Sequence, residues 1–220
     1  VEKVDSGAGV LFIVKNYSGD IMNFQMAAEM FTGPSATVLT NDDVAVEDSS
    51  FTTGRRGVAA TIIVEKIVGS LAESGGSLEE CKNLGNKVNK NSGSMGVAFS
   101  SCIVPAAGKP TFELRSDEME FGVGIHGEPG RRRDKIKSAQ EITNELLNAI
   151  LEDLKPENKD EILLFVNGMG GTPISELYLI YDNARKMLDN KKIKIARSLV
   201  GNYCTSLEMQ GASITITKLD

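Results

Sequence analysis

Gly9-Val10-Leu11-Phe12-Ile13-Val14, followed by Lys15-Asn16-Tyr17-Ser18-Gly19-Asp20, is the stretch that sets the fold. The first six residues form a continuous apolar run rich in β-branched side chains. Such a run suits a strand buried on both faces, as in a parallel sheet. Asn16 to Asp20 is a polar turn. Met22, Phe24, Met26, Ala27 and Met30 then recur with mixed helical spacing, predicting a helix to about Phe31. Ala36-Thr37-Val38-Leu39 reads as a second strand, so the order strand, turn, helix, strand is a βαβ unit.

Working outward, Asp42-Asp43-Val44-Ala45-Val46-Glu47-Asp48 is an acidic segment. Its carboxylates invite a metal reading, but lone acidic loops are usually solvated and no histidine stands nearby. Gly54-Arg55-Arg56-Gly57 leads into a helix through Ile62, Ile63, Ile67, Val68 and Leu71. Ser77-Leu78-Glu79-Glu80 and Ser138-Ala139-Gln140-Glu141 have the spacing of capping boxes, each opening a helix. Lys90-Asn91-Ser92-Gly93-Ser94 is small, polar and flexible in composition, and is taken as a domain boundary. Strands are expected at Met95–Phe99, Glu118–Ile125, Glu161–Val166, Lys192–Leu199 and Ser213–Thr217, and a helix from Glu176 to about Leu188. The chain therefore reads as α/β, with residues 1–91 forming one unit and residues 92–220 a second unit whose sheet is mixed.

The bulk numbers narrow the function. Net charge is −6 in 220 residues, which argues against nucleic acid as a partner, because binding it requires a basic face. Arg131-Arg132-Arg133 is the one basic run; it reads as a solvated loop, with a phosphate or partner contact as the alternative. Cys81, Cys102 and Cys204 are odd in number, far apart and without a CxxC pair, which makes a poor disulfide framework and a poor metal site. Free thiols suggest a reducing, cytoplasmic setting. No apolar run reaches membrane-spanning length, so no membrane partner is expected. Asn167-Gly168-Met169-Gly170-Gly171-Thr172-Pro173 is rich in glycine but lacks the Lys-Ser/Thr of a P-loop, so a nucleotide cradle is a weak reading.

His126, the single histidine, stands in Gly124-Ile125-His126-Gly127-Glu128-Pro129-Gly130. A lone histidine is by default a surface residue or a satisfied core residue. Here the flanking glycines would let a backbone approach a small ligand, and imidazole is both a nucleophile and a proton carrier. Asp20 stands just before an apolar helix, where it reads as a helix N-cap.

Taken together, several unusual blocks occur in a definite order. They are Val14-Lys15-Asn16-Tyr17-Ser18-Gly19-Asp20, Asp42-Asp43-Val44-Ala45-Val46, Gly54-Arg55-Arg56-Gly57, Val104-Pro105 with Gly108-Lys109-Pro110, the His126 motif, and Val200-Gly201-Asn202-Tyr203. In this order and spacing they resemble the dihydroxyacetone kinase family. The likeness is to its substrate-binding subunit, DhaK, of the phosphotransferase-system-dependent type, and it covers essentially the whole chain. It implies a three-layer α/β/α domain with a largely parallel sheet, plus a two-layer α/β domain with a mixed sheet. It implies that His126 attacks the ketone of dihydroxyacetone to form a hemiaminal, that Asp20 is the base at the accepting hydroxyl, and that Lys15 hydrogen-bonds the substrate. The family also carries an upstream glycine-rich segment, GGGSGHEPAH, with a second active-site histidine. That segment is not among these residues; about 90 residues of a first domain are expected to precede them. Glu65 stands where many relatives carry histidine.

The same resemblance implies the partners. This chain would bind no cofactor and no metal. ADP or ATP with magnesium would sit on a separate donor subunit, DhaL, recharged by the phosphotransferase-system protein DhaM, and the chain itself would form a homodimer. The alternative within the family is a sensor or coactivator that captures dihydroxyacetone without kinase activity.

Overall fold

The computed structural model describes residues 1–45, 54–126, 128, 130–157 and 160–220. Val46-Glu47-Asp48 of the acidic segment, and Gly127 and Pro129 of the histidine motif, lie outside the described residues. The elements follow in the order β1 (Val10–Lys15), α1 (Ser18–Met30), β2 (Ser35–Thr40), α2 (Ala60–Glu73), α3 (Leu78–Lys90), β3 (Ser92–Ala98) and β4 (Glu118–Phe121). After these come β5 (Arg132–Lys135), α4 (Ala139–Leu154), β6 (Glu161–Gly168), α5 (Ile174–Asn190), β7 (Lys194–Gly201) and β8 (Gly211–Leu219).

β1 and β2 pair in parallel with Phe12 opposite Thr37, Ile13 opposite Val38 and Val14 opposite Leu39. Side chains alternate across a strand, and both strands obey this. Leu11, Ile13 and Val38 join the core built by α2 and α3. On the other face Phe12 meets Phe24 of α1 edge to face, with ring centroids 6.1 Å apart. The six remaining strands form one mixed sheet in the order β5-β4-β3-β8-β6-β7, parallel only between β6 and β7. One face of that sheet packs on α4 and α5 through Ile162, Leu164, Val166, Ile214 and Ile216. Its other face sends Leu163 and Phe165 into the α2–α3 core. The molecule is thus a stack: α1, the β1–β2 pair, α2 with α3, the six-stranded sheet, then α4 with α5.

Both anticipated capping boxes form. Ser77 and Ser138 each accept from the backbone N–H of the glutamate three residues on, while that glutamate accepts from the serine N–H. Four expectations change. Ser92-Gly93-Ser94 is not a flexible stretch but the start of the fully buried strand β3. Its hydroxyls are satisfied across the ladder: Ser92 Oγ lies 2.8 Å from Thr217 Oγ1, and Ser94 Oγ 2.7 Å from Thr215 Oγ1. Asp42 and Asp43 are not solvated but almost wholly buried. Arg132 and Arg133 lie in edge strand β5, where Glu145 and Glu120 neutralise them, and Arg132 stacks over Phe121. The strand expected to reach Ile125 stops at Phe121, because Gly122 turns the chain at φ +73°.

The α3–β2 contact sets the spacing of the first layers. A Cβ on Gly85 would lie 2.8 Å from Val38 Cγ2 and 3.3 Å from Val68 Cγ2, both buried side chains with no space to retreat into. Gly85→Val should therefore destabilise the fold by about 1–3 kcal/mol through overpacking. The expected result is a lower urea midpoint with an unchanged denaturant slope; an unchanged midpoint would show that the layer gap is slack.

Candidate functional site

The site gathers at the carboxyl end of β1, where an α/β sheet commonly presents its ligand-binding crevice. Lys15 is the last residue of β1 and is half-buried. Tyr17 is the N-cap residue of α1, with extended backbone and no side-chain cap bond. Asp20 sits half-buried in the first turn of α1, where the helix dipole favours a negative charge. It is not the N-cap, so that reading of Asp20 is corrected: the chain turns from strand to helix at Tyr17, three residues earlier.

The end of β2 supplies two buried carboxylates. Asp42 accepts from the backbone N–H groups of Val58 and Ala60 at 2.8 and 2.9 Å, satisfying the amino end of α2, and from Ser94 Oγ. Burial pushes the Asp42 carboxyl above its ordinary range, against these hydrogen bonds. Asp43 Oδ1 accepts from Ala45 N, and its Oδ2 pairs with Arg56 at 2.7 Å from Nε and 2.6 Å from Nη2. Burial pushes the Asp43 carboxyl up to about 6, against the pull of Arg56. Arg56 has no solvent exposure, and its Nη2 also donates to the carbonyl of Gly122. One guanidinium therefore ties the β2 loop to the segment that leads into the histidine motif.

Within that motif the chain closes on itself. Glu128 is 7% exposed. Its Oε2 accepts from the His126 backbone N–H at 3.0 Å, and its Oε1 lies 3.0 Å from His126 Nδ1. Gly124 is needed here: a Cβ at that position would stand 2.0 Å from Glu128 Oε2 and 3.0 Å from Arg56 Nη1. Burial pulls the Glu128 carboxyl up, but the hydrogen bonds from His126 outweigh it and hold the group below the usual carboxylate range. An ionised carboxylate only accepts, so in the neutral imidazole Nδ1 carries the proton and Nε2 is left with its lone pair. The imidazole side chain is 54% exposed. The ring rests against Tyr17, centroids 4.5 Å apart and planes at 82°.

Of the residues singled out by sequence, His126 and the β1–α1 turn meet through Tyr17, while Lys15 and Asp20 flank that residue in the chain. Glu128, Tyr17, Asp43 and Arg56 were not among the candidates, although each lies inside a quoted motif. The available signal was an acid two residues from the sole histidine, and an arginine enclosed by glycines. Among the described residues no group of three or more His, Cys, Asp or Glu side chains is arranged to hold a metal ion. In the 167–173 turn two of the backbone donors are engaged within the fold. Met169 N donates to Gly211 O and Gly171 N to Met209 O, so these donors are already used. Cys81, Cys102 and Cys204 are all buried free thiols. No helix of the described residues is long and apolar enough to cross a membrane.

With this geometry in view, the chain belongs to the Dak1 domain family, whose model matches residues 1–220. It is 49% identical to the PTS-dependent dihydroxyacetone kinase 1, dihydroxyacetone-binding subunit DhaK, of Listeria innocua, with 100% of this chain and 68% of that protein aligned. It is 43% identical to the PEP-dependent dihydroxyacetone kinase, dihydroxyacetone-binding subunit DhaK, of Escherichia coli, over 99% of this chain and 69% of that one. Among solved structures, the dihydroxyacetone kinase operon co-activator Dha-DhaQ superposes with a TM-score of 0.90 at 34% identity, covering 99% of this chain and 68% of that one. The α/β fold expected from the resemblance is the one this chain shares with these proteins, here with a parallel two-stranded sheet and a mixed six-stranded sheet.

Two outcomes test the site's electrostatics. Arg56→Met leaves Asp43 buried without its cation and should cost about 3–5 kcal/mol, partly recovered when Asp43→Asn is added. A double variant no more stable than the single one would remove the pair as the cause. Glu128 has a folded pKa below its ordinary 4.5, so its stabilising contribution is fully present above that pH and fades as pH falls through the folded value. The stability gap between the wild-type protein and Glu128→Gln should therefore narrow on acidification below 4.5, as read by denaturation at a series of pH values.

Proposed function

We propose that this chain is the dihydroxyacetone-binding part of a dihydroxyacetone kinase, which captures its substrate covalently on His126. The observation that carries the reading is the half-exposed imidazole whose Nδ1 is held 3.0 Å from the buried Glu128 carboxylate. In the proposed reaction the Nε2 lone pair attacks the ketone carbon, the carbonyl π pair moves to oxygen, and that oxygen takes up a proton to give the hemiaminal. Charge that develops on the imidazole is compensated by Glu128. The adduct fixes a small, weakly bound triose in one orientation. It also discriminates against glycerol, which has no carbonyl to attack. Lys15 hydrogen-bonds the bound triose. Asp20 accepts the proton of the terminal hydroxyl as that oxygen takes the phosphoryl group. The phosphoryl group comes from a nucleotide-carrying subunit of the DhaL kind, served in turn by DhaM. The kinase subunits among the relatives support this assignment, as does the match along the full chain.

A second reading is favoured by one observation, the structural likeness to the Dha-DhaQ co-activator. In it, the same histidine captures dihydroxyacetone for signalling and no phosphoryl transfer follows.

Intact-protein mass spectrometry with dihydroxyacetone, under non-denaturing conditions that keep the adduct, separates these readings. Wild-type protein should gain the adduct and lose it as product when the charged donor subunit is added. An adduct that persists with a competent donor selects the coactivator reading. His126→Ala should gain no adduct, and a mutant that still did would sink the covalent role. Asp20→Asn should keep the adduct and slow transfer by roughly 100-fold or more, the scale of a lost general base. Full turnover by that variant would remove Asp20 as the base.

A further inference from the structure

Tyr17 lies outside the machinery assigned above, yet it is the residue against which the imidazole rests. It is 6% exposed and stands in the turn between β1 and α1. Its backbone is held at both ends. The amide donates to Lys15 O at 2.8 Å, and the carbonyl accepts the first helical bond, from Ile21 N at 2.9 Å. Asn16, just before it, receives backbone support from β2 through Thr40 O and donates its side-chain amide to Arg55 O. The phenol is therefore a fixed wall.

The imidazole, by contrast, sits on a loop, and among the described residues its one side-chain hydrogen bond is to Glu128. A single hydrogen bond fixes one ring atom and leaves the ring plane free to swing. The edge-to-face contact with Tyr17 supplies the second constraint. The Tyr17 hydroxyl is the only buried side-chain polar atom among the described residues without a hydrogen-bond partner. That hydroxyl gives no anchorage, so the constraint falls to the ring.

We infer that Tyr17 is a positioning residue whose aromatic ring, acting with Glu128, holds the His126 imidazole so that Nε2 faces the incoming carbonyl. It also joins the loop that carries the nucleophile to the helix that carries Asp20, three residues on. The inference rests on the covalent reading for its consequence in capture, but the clamp itself is a property of the free protein.

The experiment compares wild-type protein with Tyr17→Phe, Tyr17→Leu and Tyr17→Met. Two quantities are measured: equilibrium capture of dihydroxyacetone, and the imidazole ¹⁵N signals of the free protein. His126 is the only histidine in this chain, and His126→Ala confirms the assignment. Thermal unfolding verifies that each variant is folded, and Met preserves most of the ring's volume if Leu is not tolerated. At a pH where the ring is neutral, wild-type protein should show a protonated Nδ1 and an unprotonated Nε2. The Leu and Met variants should show averaged ring signals and capture weakened by roughly 10-fold to 100-fold, the scale of a misaligned reacting group. Restoring the ring with Phe should recover both readouts to within about threefold of wild type. Leu or Met variants with wild-type signals and capture would overturn the clamp. Equal loss in Phe would overturn it too, by transferring the role to the hydroxyl. If wild-type protein captures nothing, the covalent reading fails, while the imidazole signals still decide whether Tyr17 orders the ring.

Discussion

The buried pair of Arg56 and Asp43 is the constraint on which the site depends. Neither group has meaningful access to water, and removing a charge from water costs several kcal/mol unless a partner and hydrogen bonds compensate. Asp43 provides the partner and Gly122 O a further acceptor. The consequence is geometric. The guanidinium can be satisfied only if the β2 loop, the 54–57 segment and the chain after β4 are all in register. Gly124 lies against both Glu128 Oε2 and Arg56 Nη1, with no room for a Cβ, and Glu128 in turn holds His126. The histidine is thus positioned through a chain of contacts that begins in the interior, while its own ring stays at the surface.

The layered fold makes that chain of contacts possible. β3 and β8 carry two kinds of buried face. Ala212, Ile214 and Ile216 pack on the helices of one side. The hydroxyls of Ser213, Thr215 and Thr217 turn to the other, where they pair with Asn167, Ser94 and Ser92. This polar face reaches Asp42 through Ser94, and Asp42 holds the start of α2. A buried polar network of this kind is costly if any member is unsatisfied and rigid when all are paired. It couples the six-stranded sheet to the β1–β2 pair, so that residues from both meet at Tyr17 and His126.

The sequence was legible wherever one periodicity decided the outcome. The apolar run at Val10–Val14 and the two serine capping boxes needed only local rules, and the elements formed as read. It was misleading where polar residues are buried by pairing. Ser92-Gly93-Ser94 has the composition of a linker, and only the hydroxyls of β8, more than a hundred residues away, make it a strand. Asp42 and Asp43 have the composition of a solvated loop, and only Arg56 and the amino end of α2 make them interior. The same limit applied to the site. His126 stood out as a single histidine among glycines, whereas the contacts of Tyr17 and Glu128 with it depend on a ring plane and a loop closure that no spacing rule encodes.

These features explain why covalent capture suits this architecture on the proposed reading. A triose offers few atoms to grip, and the half-exposed imidazole stands where solvent competes for every hydrogen bond. A bond from Nε2 to carbon needs one well-aimed lone pair rather than an enclosing pocket. Aim is what the structure supplies. Glu128 fixes the protonated nitrogen, Tyr17 limits the ring plane, and the buried arginine holds the loop beneath them. An open face is then an advantage, because the hydroxyl to be phosphorylated must stay accessible to a donor that arrives on another subunit. The cost of the arrangement is the buried charge that anchors it, and that cost is borne in the interior, away from the reacting atoms.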